Sequence, residues 1–444
     1  MTDTISRLDD LIRQAINAGA DAADALLVDS ASLSVGRRMR KPENLERSEL
    51  IDFGLRVFIG KRQASVSSTD LKPETLSQLV DKALQMARVV PEDEFAGIAE
   101  PEQLAKDWPE LDLYDSSEPD PEFLIERASI LEEAALAVPG VTNSSGAEAS
   151  WGRSTITLVA SNGFAGQYRR SSNSLSVGVL AGEGDEKQSD HDYSFGAFLA
   201  DLEDPAVVGK SAGERTVAKM NPRKIDTMRV PIVLDPRVAG GLLGTLAGAI
   251  SGSSIARGLS FLKDSLGEQI LPAGVTIMDD PYLRRGHRSK PFDGEGIAPM
   301  QRPIVNDGYL TTWLLDLRSA RQLGLLSTGH AARGTGGPPA PSPSNLYLTG
   351  GKISRDELLR QVGNGLYVTG LMGQGANMTT GDYSRGATGF WIENGVLTYP
   401  VAEVTIAGNM KYMFRNLTPA TDLQHRYGID SPTLRIDGMT IAGH

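Results

Sequence analysis

Apolar residues recur at helical spacing at the start of the chain. Ile5, Leu8, Leu11, Ile12, Ala15 and Ile16 share one face, and Asn17-Ala18-Gly19 supplies a stop. The period then shortens. Ala25 to Asp29 and Leu33 to Arg38 read as short strands, and FGLRVFIGKRQASVS, residues 53–67, reads as a hairpin turning at Gly60-Lys61. Lys72 to Arg88 returns to helical spacing, with Leu76, Leu79, Val80, Ala83, Leu84 and Ala87 on one side. Residues 99–121 are rich in Pro, Asp and Glu, lack periodicity and read as a linker. The same order follows. Residues 122–137 form a helix, and residues 141–199 hold several strands. Among them are Thr155 to Ala160 and Ser174 to Leu180, with a turn at Ser161-Asn162-Gly163. A helix at 205–219 closes the unit. Two units of one element order, without obvious shared sequence, predict a duplication.

From Met228 onward the pattern changes to β-branched runs separated by turn signals. Asn306-Asp307-Gly308 and Glu393-Asn394-Gly395 are strong hairpin signals between extended runs. Helices are expected near 236–251 and 354–361. The fold class is therefore α+β. A duplicated helix–strands–helix region (1–98 and 122–224, joined by 99–121) precedes a strand-rich domain at 225–444 with a mostly antiparallel sheet.

The 444 residues are too many for one ordinary core. Hydrophobic residues at 40% and charged residues at 23% describe a globular chain. The net charge of -12 opposes general binding to phosphate backbones, so no nucleic-acid partner is expected. The best local basic patch, Arg284-Arg285-Gly286-His287-Arg288, reads as a solvated loop. The amphipathic first helix lacks the basic start and apolar core of a signal peptide, and no apolar run reaches the length of a membrane span. The expected location is the cytoplasm, with no membrane partner.

Cysteine is absent, which removes thiolate metal sites, disulfides and cysteine nucleophiles. The five histidines are His191, His287, His330, His425 and His444. No two share a helical turn, and each reads as a surface or loop residue. Asp279-Asp280 with Asp293 and Glu295 matches no known loop spacing for a hard metal and reads as acidic turns. Gly373-Gln374-Gly375-Ala376-Asn377-Met378 starts like a dinucleotide fingerprint but lacks the third glycine. No metal or cofactor is expected in this chain.

The segment VPIVLDPRVAGGLLGTLAGAISG, residues 230–252, is a β-branched run, then Asp235-Pro236 as cap and first helical position, then a helix rich in small residues. Such a helix predicts a neighbour at very close approach. The strand, the cap and the Leu242-Leu243 pair resemble the start of the C-terminal domain of the TldD/PmbA family, described as modulators of DNA gyrase and as zinc metalloproteases. In the TldD branch the Leu-Leu pair leads into His-Glu-x-x-x-His, which binds zinc and supplies the general base, and a cysteine ligand lies near the C-terminus. Here the six positions are Gly244, Thr245, Leu246, Ala247, Gly248 and Ala249. Both histidine positions, Gly244 and Ala249, and the base position, Thr245, are empty of donors. The resemblance is thus to the PmbA/TldE branch. It is strongest at 372–409, in Thr380-Gly381-Asp382-Tyr383-Ser384, Gly386-Ala387, Ile392-Glu393-Asn394-Gly395 and Pro400-Val401.

These glycine turns serve architecture, or they shape a groove whose strand edge accepts an extended peptide. The Gly/Pro-dense loop Ser327 to Ser344 lines a chamber or is a flexible surface loop, and its Arg333 grips a carboxylate or is a solvated charge. Arg333, Gly336, Gly381 and Asp382 are the candidate peptide-binding or chamber-lining residues. The resemblance implies a non-catalytic subunit of a heteromeric peptidase acting on small or unfolded peptides. Its partner would be a TldD-type chain that carries the zinc, and a homodimer is possible without that partner. The rival readings are a self-sufficient hydrolase with an unrecognised site and a direct gyrase-binding regulator.

Overall fold

Two runs of helix, three strands and helix occupy the first half of the chain. The first is α1 (Thr2–Asn17), β1 (Ala22–Arg38), β2 (Lys41–Ile59), β3 (Arg62–Ser68) and α2 (Pro73–Val89). The second is α3 (Pro121–Leu136), β4 (Val141–Ala160), β5 (Ala165–Ala181), β6 (Gln188–Gly196) and α4 (Pro205–Ala218). The computed structural model describes residues 2–373 and 375–443, so Gln374 of the fingerprint-like segment and His444 lie outside the described residues. The six strands form one antiparallel sheet in the order β3-β2-β1-β4-β5-β6. The seam between the two units is the β1–β4 ladder, which runs from Asp24↔Ala160 to Arg37↔Ala147.

Period-two alternation assigns the faces. Ala23, Ala25, Leu27, Phe53, Leu55 and Val57 point to one face and pack under α1 and α2. Ala31, Leu33, Val35, Ala149, Trp151, Leu175 and Val177 continue the same face under α3 and α4. The other face carries Leu26, Leu158, Phe164 and Tyr168, which pack on Trp108 and Phe292. Asp-Pro pairs start the second unit's two helices. Asp120 caps α3 by accepting from Phe123 N–H, Asp204 caps α4 by accepting from Ala206 N–H, and the proline occupies the first helical position each time.

β1 is one strand of 17 residues, not the two short strands expected from its pattern. It turns directly into β2, whose first half the sequence pattern does not reveal. The two-residue turn is Met39-Arg40, with φ of 49° and 63° at non-glycine residues. Both positive angles describe a type I′ hairpin turn, which ordinarily calls for Asn or Gly. Glu132 of α3 compensates. Its buried carboxylate accepts the N–H groups of Met39 and Arg40 at 2.7 Å each, and Arg37 stands 3.5 Å from it. Beyond this turn, β3 pairs only with Phe53–Ile59 of β2, so residues 41–51 form a wing with one strand neighbour and exposure on both faces.

The linker segment is irregular apart from Pro101–Gln103, yet it is pinned. Leu111 and Leu113 are buried. Ala105 N–H donates to Gly296 C=O, Ser171 N–H to Leu113 C=O and Arg285 N–H to Leu111 C=O, each at 2.9 Å. The strap thus ties the sheet to the second half of the chain.

In that half, β7 (Met228–Leu234) lies parallel to Gly365–Met372 and antiparallel to Leu434–Ala442. Asp382–Glu393 and Val396–Asn409 continue the ladder, and Val396–Asn409 also pairs with Leu434–Ala442. The five strands close into a ring with one parallel pair. A smaller sheet of five short strands, including Ile277–Asp280 and Asn345–Leu348, packs beside it. Between them α5 (Pro236–Ala249) buries Leu242, Leu243 and Leu246 in the largest core of the molecule.

Replacing Glu132 with alanine should remove both acceptors that hold the Met39-Arg40 turn. The loss of two charge-assisted bonds at a buried site should cost roughly 2–4 kcal/mol. Urea unfolding followed by circular dichroism measures it, and a change under ~0.5 kcal/mol would show that the turn stands without the carboxylate.

Candidate functional site

α5 starts at Asp235, whose carboxylate accepts Arg237 N–H at 3.0 Å and the Tyr367 hydroxyl at 2.7 Å. Its apolar face is Ala239, Leu242, Leu243 and Leu246. The other face presents Gly241, Gly244, Thr245 and Gly248, all partly or fully open. The close approach expected along this helix occurs at Gly240, where an added Cβ would stand 2.7 Å from the Ile429 carbonyl oxygen. At Gly244 an added Cβ meets nothing within 4 Å. Ala249, by contrast, is fully buried in the last turn. Five residues apart on a helix of 3.6 residues per turn, Gly244 and Ala249 point about 140° apart. They therefore do not share a face, contrary to what their place in one short motif suggests. Thr245 is the only one of the three with a polar side chain, and its hydroxyl donates to Gly241 C=O at 3.0 Å. A zinc ion asks for imidazole, carboxylate or thiolate donors. These three positions offer none, and among the described residues no group of three or more His, Asp or Glu side chains could hold a metal.

Gly381 precedes, and Asp382 opens, the strand Asp382–Glu393 beside the C-terminal end of α5. Met378 Cε would stand 3.3 Å from a Cβ at Gly248, and Phe261 N–H donates to Met378 C=O. Gly381 is buried with φ at 82°, next to Phe261 and Asn409, so its left-handed backbone and its packing both suit glycine. Asp382 is exposed and accepts from Thr380 Oγ1 at 2.8 Å and Asn409 Nδ2 at 3.1 Å. Those bonds hold its carboxyl below the usual range.

Arg333 and Gly336 lie elsewhere, on the loop that crosses to the helix-free face of the N-terminal sheet. An added Cβ at Gly54 would collide with the Thr335 carbonyl, and Thr335 Oγ1 donates to Asp52 at 2.6 Å. The loop is therefore seated, not free. The Arg333 side chain is 1% exposed and pairs with Asp24, which also pairs with Arg56 across the β1–β2 ladder. Burial works against the Asp24 carboxylate, but the two guanidinium groups hold its pKa below the usual value. Gly336 is exposed beside Ser67. Among the described residues, the Arg333–Gly336 pair and the Gly381–Asp382 pair bond to separate partners.

Asp279, Asp280, Asp293 and Glu295, expected as acidic turns, are buried around this seat. Asp293 accepts the N–H groups of Glu295, Ile297 and Ala331, but burial outweighs these donors and the nearby Lys290 and pushes its carboxyl above the usual value. Glu295 accepts Leu317 N–H at 2.8 Å. Burial first, and the Asp293 charge second, push the Glu295 carboxyl up to about 8. His330 is likewise buried, not a surface residue. It bonds Thr328 Oγ1 at 2.8 Å and Asp279 at 3.2 Å, and Asp279 also accepts Ser344 N–H. The basic run is spent internally. Arg284 and Arg285 pair with Asp112, Arg285 also with Asp201, and Arg288 donates to Ser342 and Pro343. His287 is pushed down to about 4 by burial, with Arg170 and Arg288 adding to the effect, so it stays neutral. Asp24 and Arg56 escaped the sequence reading. Each is a lone charge inside an apolar run, at positions that a hairpin sets opposite one another, and that was the available signal.

Glu295 predicts a pH dependence of stability. Its folded pKa of about 8 lies above the ordinary value of 4.5, so its contribution is full below pH 4.5 and is lost as pH rises towards about 8. Glu295→Gln should remove that slope. Thermal melts from pH 5 to 9 should show the variant matching the parent at the acid end and exceeding it at the alkaline end. Parallel curves would place the proton elsewhere.

Family models match three successive stretches of this chain. Residues 23–87 match PmbA/TldA metallopeptidase domain 1, residues 114–220 the central domain, and residues 227–443 the C-terminal domain. The protein called metalloprotease PmbA in Escherichia coli O157:H7 is 42% identical over 426 residues, covering 96% of this chain and 93% of that one. A Bacteroides thetaiotaomicron structure, described as a candidate modulator of DNA gyrase, superposes with a TM-score of 0.92 at 28% identity and full coverage of both chains. TldE from Thermococcus kodakarensis superposes with a TM-score of 0.87 over 98% of this chain and all of that one, and at 19% identity it shows likeness of fold.

Proposed function

The chain belongs to the PmbA/TldD metallopeptidase family, and from that premise we propose that it is the metal-free subunit of a peptidase whose zinc and general base reside on a TldD-type partner. The observation that carries this reading is the set Gly244, Thr245 and Ala249 on α5. None is a metal donor. The helix is nonetheless fully packed through Leu242, Leu243 and Leu246. A helix that keeps its packing and has no donors fits a subunit kept for its shape.

In this reading the subunit contributes walls and substrate contacts, and peptides small or unfolded enough to enter are cleaved on the partner. Gly336 and Asp382, both exposed, are the proposed chamber-lining positions, and the buried Gly381 we assign to shaping the backbone before Asp382. Arg333 we assign instead to holding the loop, since Asp24 occupies it and it has almost no exposed surface. The cytoplasm is the proposed compartment. No described helix is long and apolar enough to cross a membrane.

Mixing this chain with a TldD-type chain should give a one-to-one complex with peptidase activity above either chain alone. Light scattering and cleavage of a casein-like unfolded substrate measure the two properties. Full activity of the zinc chain in the absence of this one would sink the assignment.

Restoring the motif tests the account of α5. Gly244→His alone should be tolerated, because its Cβ direction is open. Ala249→His places an imidazole in a filled core and should cost roughly 1–3 kcal/mol or more. Gly244→His, Thr245→Glu and Ala249→His together should still bind zinc weakly and cleave nothing, since a catalytic site needs three ligands held on one centre. Stoichiometric zinc retained through dialysis, with peptide cleavage by the triple variant, would contradict this.

A further inference from the structure

We propose that this chain binds a tetrahedral oxyanion, inorganic phosphate or a phosphate monoester, in an arginine-lined cavity between α4 and the start of α5. The cavity has a volume of about 190 Å³. At ~30 Å³ for each water molecule, that is room for one small hydrated ion. Arg215 reaches it from the last turn of α4 and Arg237 from the first turn of α5. Arg355 reaches it from the start of the helix Arg355–Val362, and Arg426 from the loop before the last strand. Four guanidinium groups thus converge from four segments of a chain whose net charge is -12. Asp235 precedes Gly244 by roughly 13 Å along the helix axis, so the cavity lies apart from the donor-free positions of α5.

Arg355 is the group that the fold leaves without a duty. Its guanidinium lies 5.0 Å from the centre of the Tyr367 ring. Its Nε is shut off from solvent, and among the described residues it has no hydrogen-bond partner. A buried polar atom in that position points to an ion, a ligand or water beside it. Arg215 is engaged through Nε alone, with Ser211 at 3.4 Å and Asp192 at 3.8 Å, which leaves its two terminal nitrogens to spare. Arg237 and Arg426 are each tied through one terminal nitrogen, the first to the His191 carbonyl and the second to Glu203 and the Tyr193 carbonyl. Three aspartates also line the cavity, but the fold employs both oxygens of each. Asp235 accepts Arg237 N–H and the Tyr367 hydroxyl, and Asp422 accepts the N–H and hydroxyl of Thr433. Asp430 accepts the N–H groups of Arg426, Tyr427 and Gly428. The acids are thus met by backbone and hydroxyl donors while guanidinium donors remain, which selects an anion over a cation. Guanidinium groups grip phosphate oxygens two at a time. A carboxylate presents two oxygens in one plane, whereas a tetrahedral ion presents oxygens in several directions, as arginines on four separate segments require. Arg215 belongs to the second helix–strands–helix unit and the other three to the C-terminal half, so the bound ion bridges the two.

The test is isothermal titration calorimetry on the full chain in buffer free of phosphate and sulfate, with inorganic phosphate, glycerol phosphate and N-acetylalanine as probes. Phosphate should bind saturably, one ion to each chain, in the millimolar range or tighter. Glycerol phosphate bound as tightly as phosphate assigns the site to monoesters, and glycerol phosphate bound about tenfold more weakly assigns it to the free ion. Arg355→Met and Arg215→Met should each weaken phosphate binding by about tenfold or more, since each removes charged donors from the ion. Arg360→Met, on the same helix as Arg355 but exposed and paired with Glu357, should leave it unchanged. Circular dichroism and melting temperatures of the unliganded variants keep misfolding from imitating the result. Arg355→Lys keeps the charge and loses the fork, so it should bind at an intermediate affinity, and it stands in should Arg355→Met fail to fold. Three outcomes would each overturn the proposal. They are no saturable binding of either phosphate probe in the millimolar range, an affinity that Arg355→Met or Arg215→Met leaves unchanged in a folded chain, and tighter binding of N-acetylalanine than of phosphate. The measurement needs no partner chain, so its failure leaves the metal-free-subunit reading standing, and failure of that reading leaves this test intact.

Discussion

Asp24 meets two guanidinium groups in a place with no access to water. A carboxylate so placed is tolerable only when paired, and removal of Asp24 would leave two buried guanidinium groups without their shared partner at a cost of several kcal/mol. Asp24 lies on β1, Arg56 opposite it on β2, and Arg333 on the loop from the C-terminal half. One carboxylate thus fixes the register of a hairpin and the seat of a loop that begins more than two hundred residues later. Gly54 lies two residues from Arg56, and its missing side chain lets the backbone at Thr335 reach the sheet. The strap through Leu111 and Leu113 and the Arg285 pairs with Asp112 and Asp201 tie the same two bodies together along a second line.

The chemistry of α5 is independent of that frame. Its stability comes from leucines buried in the C-terminal core and from the Asp235 cap, none of which needs a ligand on the open face. A fold of this kind keeps its shape when donors are absent from the helix surface, which is the general sense in which function is grafted on architecture. The buried polar groups around Glu295, Asp293 and His330 likewise serve the interface between the two bodies. Their hydrogen bonds run to backbone groups and to one another, as buried polar atoms require.

The longer helices were legible because a local cap or stripe marks them, whereas the short helices at Gly252–Ala256, Leu317–Gln322 and Met410–Arg415 were not. The Asp-Pro starts at 120, 204 and 235 and the 3.6-residue stripe of α2 need nothing distant. The repeat of element order was legible for the same reason. The long wing of β2 was not. KPENLERSELI reads as a polar loop, and the Met39-Arg40 turn carries no glycine or asparagine to announce it. Its conformation depends on Glu132, ninety-two residues away, whose role no local pattern reveals.

The sequence by itself determined the α+β class, the duplicated order, the strand-rich C-terminal half and the absence of metal donors at Gly244, Thr245 and Ala249. Each follows from residue type, spacing or a short motif. Only the tertiary structure decided that the two units share one sheet, that the Ser327 to Ser344 loop is seated and Arg333 buried, that His330 and the Asp279 to Glu295 acids are internal, and which strand edge is left open. Those outcomes depend on which charges meet across long separations and on the cost of leaving any of them unpaired away from water, quantities that periodicity does not contain.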